Sequence, residues 1–356
     1  MTRILYYARI RSEKMKKISR RSFLNDSLPL AGFFLLYSDT PFFYMDKKMT
    51  KNDSPKYPSY LELYKNGELK RRAKKLGSYY ENCTLCPRDC RVDRTRKELG
   101  KCQATATLKI SSSFAHFGEE RPLVGQKGSG TIFFSHCGLR CLYCQNHSIS
   151  FEGEGIEVTE ERVAESMLKL QKLGCHNINL VTPTHYVPGI VNALMKAIPM
   201  GLHIPIVYNT SGYEKLEILK LLDGVVDIYL PDFKYMNPEH AAKFSSEAYN
   251  YPYYAKIALK EMFRQVGDLQ VSNRLIAKKG LLIRHLVLPN RISSTQEVLK
   301  FIAEELSKTT YINIMRQYRP EYKARQYPEI ARRINSSEYN EALKWAKQFE
   351  LTRLDR

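Results

Sequence analysis

The chain has 356 residues, 43% of them hydrophobic and 26% charged, with a formal net charge of +19. This is too apolar for a disordered tail and long enough for one large domain or two modest ones. No run of eighteen uncharged apolar residues makes a spanning helix the main architecture. The charge is lopsided, because residues 1–101 hold 24 Lys and Arg against 11 Asp and Glu. No nucleic-acid-binding motif accompanies that surplus, so it reads as a leader and a solvated basic surface, and nucleic acid is not an expected partner.

Residues 1–57 read as leader and linker. Met15 to Leu24 has a basic start, a twin arginine (Arg20-Arg21) and then Phe23-Leu24, followed by an apolar run from Leu28 to Tyr37. This resembles a twin-arginine export signal, although Pro29 interrupts the run and no clean small-x-small site follows. The alternative is a plain basic tail.

Residues 58–130 are expected to hold a helix, a four-cysteine module and a connector. The helix is predicted over 58–80, with Tyr60, Leu61, Leu63, Tyr64 and Leu69 near one face. The connector carries short strand-like pieces and several glycines. From 131 to 320 strands and helices alternate. Strands are predicted at 131–135, 178–182, 205–208, 226–230, 281–288 and 311–315. Helices are predicted near 159–174, 187–198, 214–222, up to 266, and 295–307. Residues 321–356 form a helical extension with a last helix at 337–349. Six such units imply a parallel sheet with right-handed crossovers: an α/β fold, a partial (β/α)6 TIM-like barrel.

The eight cysteines are unevenly spread. Cys137, Cys141 and Cys144 follow the first predicted barrel strand, at the end where such barrels build their sites. Three soft ligands on one short loop suit an iron–sulfur cluster, which leaves one iron of a cubane open. Gly138 is expected to let the chain turn closely there. A structural zinc with a distant fourth ligand is the bland alternative. Cys83, Cys86, Cys90 and Cys102 form a second, complete set of four thiolates, for zinc or a second cluster, with disulfides as the alternative in an exported protein. Arg88, Arg91, Arg94, Arg96 and Lys101 are expected to offset its negative charge. Cys175 reads as a buried core thiol.

The spacing Cys-x3-Cys-x2-Cys, with Tyr143 before the last cysteine, resembles the radical S-adenosylmethionine (SAM) enzymes. More narrowly, the chain resembles homologues of pyruvate formate-lyase-activating enzyme that carry an extra N-terminal cysteine module. The likeness covers about residues 81–355. It includes Cys83-Thr-Leu-Cys-Pro-Arg-Asp-Cys90, His116-Phe-Gly-Glu-Glu120, Val181-Thr-Pro-Thr-His-Tyr186, Tyr208-Asn-Thr-Ser-Gly-Tyr213, Tyr229-Leu-Pro-Asp-Phe-Lys-Tyr235 and Arg284-His-Leu-Val-Leu-Pro289.

The resemblance implies that Cys137, Cys141 and Cys144 hold a four-iron–four-sulfur cluster whose open iron binds SAM. The reduced cluster would cleave SAM to a 5′-deoxyadenosyl radical, which abstracts hydrogen from a substrate. It implies SAM contacts at Tyr143, Thr182, Thr184, Asn209, Ser211, Asp232, Lys234 and His285. Thr182-Pro-Thr-His185 departs from the glycine-rich segment usual after the second strand. The bland alternative for Asn209 and Asp232 is helix capping, and for His185 and His285 an ordinary core histidine. Implied partners are a low-potential electron donor such as flavodoxin or ferredoxin and, as substrate, a glycyl-radical or other protein. RNA, a peptide or a small molecule, or a non-catalytic scaffold, are the competing readings. Because SAM and such donors are cytoplasmic, cytoplasmic location is expected despite the twin arginine.

Overall fold

A computed structural model describes residues 58–355, which belong to the second of two units, Ser54–Arg356. The twin-arginine-like segment lies outside the described residues. No described helix is long and apolar enough to cross a membrane.

Two short helices open the fold, α1 (Tyr60–Lys65) and α2 (Glu68–Gly77). The single helix expected over 58–80 is broken at Asn66-Gly67, because Gly67 takes φ +77, a left-handed conformation that ends one helix and opens the next. Tyr60, Leu69, Ala73 and Leu76 still point into the core. Next comes the four-cysteine module. Its ends are tied by Cys83 N–H to Val92 O and Arg91 N–H to Cys83 O. Asp93 caps a short turn by accepting from the Thr95 and Arg96 amides.

The connector forms strand β1 (Leu108–His116) and the one-turn helix α3 (Arg121–Val124). Strand β2 (Ser129–Phe134) pairs antiparallel with β1. Helix α4 (His147–Ser150) and strand β3 (Ile156–Val158) follow, β3 adding to the far side of β1. The alternation then runs α5 (Glu160–Lys172), β4 (Ile178–Val181), α6 (Val187–Ala197), β5 (Ile206–Thr210), α7 (Leu216–Leu221) and β6 (Ile228–Pro231). It continues with α8 (Pro238–Phe244), α9 (Tyr251–Val266), β7 (Gln270–Val271), β8 (Ala277–Leu286), α10 (Thr295–Glu305), β9 (Tyr311–Met315) and α11 (Ser336–Gln348).

The six strands expected from the alternation are β2, β4, β5, β6, β8 and β9, joined in that order by parallel pairing. The short β7 pairs antiparallel with β8 outside this path. β5 and β6 are buried along their whole length, as strands covered on both faces must be. β2 and β9 do not pair, so the barrel stays open on that side, and β1 and β3 extend the sheet beyond β2. Helices α5 and α6 pack against the outside with Val163, Met167, Leu170, Ile190 and Leu194 in the core. Thr159 caps α5, and Asn335 with Glu338 forms a capping box on α11. No disulfide joins any of the eight cysteines in the structure, and Cys175 is buried as expected.

Candidate active site

The loop that leaves β2 carries Cys137, Cys141 and Cys144 to the C-terminal end of the parallel strands. Protein contacts hold its backbone from three sides. Leu142 N–H donates to Phe244 O at 2.8 Å, Lys323 N–H to Leu142 O at 3.0 Å, and His136 N–H to Ile149 O at 2.9 Å. Arg88, from the four-cysteine module, donates to Gly138 O at 2.8 Å and Leu139 O at 3.1 Å. The turn does not depend on glycine as expected. The left-handed residues are His136 (φ +71) and Arg140 (φ +55), while Gly138 has ordinary backbone angles.

The three cysteines line a cavity of about 300 Å³. Tyr143, Thr182, Asn209, Ser211, Asp232 and Lys234 line the same cavity, so the structure brings together six of the eight expected SAM contacts. Thr184 and His285 are not among the lining residues. Thr184 follows Thr182, whose φ of +58 turns the chain, and its hydroxyl donates to the buried Glu214 carboxylate at 2.5 Å. His285 is fully buried, its Nδ1 2.7 Å from Phe233 O and its Nε2 2.9 Å from the Thr295 hydroxyl. It is a satisfied core histidine, and burial lowers its pKa to about 4.

The residue before it, Arg284, takes the place in the cavity that sequence reasoning left to His285. Side chains alternate along a strand, so the two point to opposite faces of β8. Arg284 Nε donates to Asp232 Oδ1 at 2.8 Å and its Nη2 to Asn209 Oδ1 at 2.6 Å. Lys234 Nζ donates to the other Asp232 oxygen at 2.8 Å. Burial pushes the Asp232 carboxyl up, but Arg284 and Lys234 outweigh it and hold the group below its usual range. Helix capping therefore does not describe Asp232 or Asn209, whose side chains face Arg284.

Behind this tier stand Glu119 and Glu120, both buried. Glu119 Oε2 accepts from Arg284 at 3.4 Å, and Glu120 Oε1 accepts from Asn313 of β9 at 2.9 Å. The segment after β1 thus reaches across the unpaired side of the barrel to β8 and β9. Its signal in the sequence was His116-Phe-Gly-Glu-Glu120, a pair of acids that spacing alone assigns no partner.

A chain of hydroxyls leads to the cysteine loop. Tyr143 OH accepts from Tyr235 OH at 2.6 Å, Tyr235 OH lies 3.1 Å from Ser245 Oγ, and Ser245 donates to Cys141 Sγ at 3.1 Å. Ser150 donates to Cys144 Sγ at 3.2 Å. Burial pushes the Cys141 thiol up to about 12 and raises Cys144 as well. Bare thiolates are therefore disfavoured here, and bound iron is what would hold them deprotonated. Among the described residues, no three or more His, Cys, Asp or Glu side chains converge as a single metal ion requires. Three thiols on one short loop beside an open cavity, two of them hydrogen-bonded, fit the ligand set of a cubane cluster with one iron left open.

In the four-cysteine module the expected counter-charges behave differently from one another. Arg94 is buried against Cys83 and Cys102. Lys101 Nζ pairs with Glu247, Arg96 pairs with Asp93, and Arg88 binds carbonyls of neighbouring loops.

Residues 131–266 match the radical SAM superfamily. The uncharacterized protein MJ0674 of Methanocaldococcus jannaschii is 33% identical over 301 residues, which cover 82% of each chain. Among solved structures, HydG, a maturase of the [FeFe]-hydrogenase, superposes with a TM-score of 0.43 at 15% identity over 62% of this chain and 48% of HydG. Methylornithine synthase (PylB) superposes with a TM-score of 0.39 at 15% identity over 62% of this chain and 61% of PylB. The chain thus spans less than two thirds of the length of either solved structure. By that relative the chain belongs to one family with MJ0674, and its residues 131–266 form a radical SAM domain.

Proposed function

We propose that this chain is an activating-enzyme-like radical SAM oxidoreductase that takes a hydrogen atom from a partner protein of the glycyl-radical kind. The observation that carries the reading is one shared cavity: three cysteines on one wall, and Asn209, Asp232, Lys234 and Arg284 on another. A [4Fe–4S] cluster and SAM bound together there supply a one-electron cleavage whose product abstracts hydrogen.

The chain's own residues bind, orient and exclude water. Cys137, Cys141 and Cys144 supply the three thiolates. Lys234 and Arg284 present cationic donors to a carboxylate, while Asp232 sets their spacing and offers an acceptor to an ammonium group. Thr182, Asn209 and Ser211 supply polar edges for the remainder of SAM. Tyr143 and Phe133 give the cavity apolar wall.

The partner-protein part of the reading rests on the open side of the barrel. Phe133 of β2 and Met315 of β9 both line the cavity, yet their strands do not pair. An extended peptide loop fits such an opening better than a closed ring. A low-potential donor of the flavodoxin or ferredoxin class supplies the electron, which places the reaction in the cytoplasm.

The test is anaerobic reconstitution with iron and sulfide, then dithionite and SAM, with 5′-deoxyadenosine and methionine read by chromatography. Wild type should release both products and Cys141→Ala neither. Cluster formation on wild type with no cleavage, with or without a candidate partner, would defeat the reading.

A further inference from the structure

We propose that residues 316–333, the strap that follows β9, are the docking face for an acidic one-electron carrier protein, which reduces the three-cysteine site across Leu142. The inference rests on the proposed function above, since it names where that site receives its electron.

The charge of the strap is the first sign. Residues 102–356 carry 32 Lys and Arg against 26 Asp and Glu, a surplus of 6. Residues 316–333 alone carry six cations, Arg316, Arg319, Lys323, Arg325, Arg332 and Arg333, against Glu321 and Glu329. This one segment therefore supplies most of the surplus outside residues 1–101. All six cations are exposed. Both acids are already engaged, Glu321 with Arg319 at 2.7 Å and Glu329 with Lys243. Arg316, Lys323 and Arg325 are left without an acid of the strap.

The tyrosines fix the strap to the cysteine loop. Tyr318 is buried, its ring edge-on to Tyr143 with centres 5.9 Å apart and its hydroxyl donating to Ile330 O at 2.6 Å. Tyr322 stacks on His147 at 5.1 Å, and Tyr327 packs edge-on to Phe244 at 5.8 Å. Lys323 N–H donates to Leu142 O at 3.0 Å. The rings thus turn in and the cations between them turn out. Leu142 lies between Cys141 and Cys144 and is only half-buried, so the loop comes up to the surface beside Lys323.

Charge and place together choose the occupant. A basic face attracts both acidic proteins and nucleic acid. Single-stranded nucleic acid is held by rings on which its bases stack, and the three tyrosines of the strap are turned onto protein partners instead. A carrier that brings a redox centre to the three cysteines needs a short approach and an opposite charge to hold it there. The strap offers both. Such encounters are small and short-lived, and charge steers them more than apolar burial does. One electron leaves the reduced carrier, which is oxidised by one, and enters the three-cysteine site, which is reduced by one. No bond forms or breaks, and no proton moves.

The experiment uses the full chain, reconstituted anaerobically, with flavodoxin as the probe. Binding is read by biolayer interferometry. Reduction is read by stopped-flow absorbance, with photoreduced deazaflavin as a small-molecule control. Raising salt from about 0.1 M to about 1 M shortens the screening length from about 10 to about 3 Å. Steering raises association by about tenfold to a thousandfold, so this salt step should slow flavodoxin at least tenfold and leave deazaflavin unchanged. Lys323→Glu with Arg325→Glu should weaken binding and slow flavodoxin at least tenfold at low salt, and Lys323→Gln with Arg325→Gln by less. Their reduction by deazaflavin, which needs the same folded site, should be unchanged. Lys169→Glu with Lys172→Glu, on the exposed face of α5, alters net charge equally and should change neither reading. Flavodoxin rates alike in wild type and the strap variants overturn the inference, as does an equal loss in the α5 variant. Retention of transfer RNA that the strap variant alone loses, with flavodoxin binding unchanged, gives the face to nucleic acid and overturns it too. Any of these in a chain that still cleaves SAM with deazaflavin leaves the proposed function standing. No cleavage with either reductant defeats that function first.

Discussion

Arg284 of β8 and Asp232, just beyond β6, meet across neighbouring parallel strands, with Arg284 Nε 2.8 Å from Asp232 Oδ1. The pair is not a closed ion pair, because Lys234 holds the second carboxylate oxygen and Asn209 and Glu119 hold other faces of the guanidinium. Two cations and two carboxylates so arranged leave donors directed at the cavity. A zwitterionic amino-acid end, such as SAM carries, matches them.

Arg284→Ala should weaken SAM binding by about tenfold to a hundredfold, since a charge-assisted hydrogen bond contributes about 1.5–3 kcal/mol. Arg284→Lys should recover little of it, because a lysine cannot bridge Asp232 and Asn209 together. Equilibrium dialysis with labelled SAM measures the change. A melting curve run alongside reads the separate cost of leaving Glu119 without its partner.

Removing the hydroxyl at position 245 should alter the cluster and not the fold. Ser245 donates to Cys141 Sγ, and such bonds stabilise the more negative, reduced state. Ser245→Ala should therefore shift the midpoint potential to more negative values, on the order of tens of millivolts. Potentiometric titration followed by electron paramagnetic resonance is the measurement. An unchanged potential would mean that the hydroxyl serves only Tyr235.

Glu214 gives a pH dependence. Burial raises its carboxyl to about 7, despite the bonds it accepts from Thr184, Thr210 and Tyr208. The folded state keeps a proton that the unfolded chain releases near 4.5. Its contribution to stability is full below about pH 4.5 and is lost as pH rises to about 7. A shift from 4.5 to about 7 corresponds to a loss on the order of 3 kcal/mol. Glu214→Gln should lack this slope, so wild type should lose more melting temperature than the variant between pH 5 and pH 8. Asp227, also raised to about 7 by burial, titrates in both proteins and cancels in the comparison.

Gly212 should tolerate no side chain. It has φ +75, and a Cβ there would stand 2.5 Å from Asp232 O. Gly212→Ala must therefore strain the backbone and push Asp232 away, costing about 2 kcal/mol or more. Thermal denaturation should show a lowered midpoint, and SAM binding should fall with it.

The parts that were legible in the sequence are local. Three cysteines within eight residues announce themselves, and apolar runs alternating with helical periods locate β2, β4, β5, β6, β8 and β9. What was not legible depends on which way a side chain faces. His285 and Arg284 are neighbours, and a shift of one position on a strand exchanges wall for core. Thr184 and Thr182 share a residue type, but the left-handed turn at Thr182 sends the second hydroxyl to Glu214. Glu119 meets Arg284 across 165 residues, a distance no spacing argument spans. The break at Asn66-Gly67 was open to a reader of turn signals, yet the apolar face on both sides concealed it.

The contacts that hold the cysteine loop have a consequence for maintenance. Leu142 is tied to Phe244 and Lys323, His136 to Ile149, and Gly138 and Leu139 to Arg88. Clusters of this type are easily destroyed by oxygen, and a loop folded only by its metal would collapse with it. Here the bonds that position the loop are all to the protein itself, so the frame that receives a cluster is set by packing of Phe244, Lys323, Ile149 and Arg88 around it.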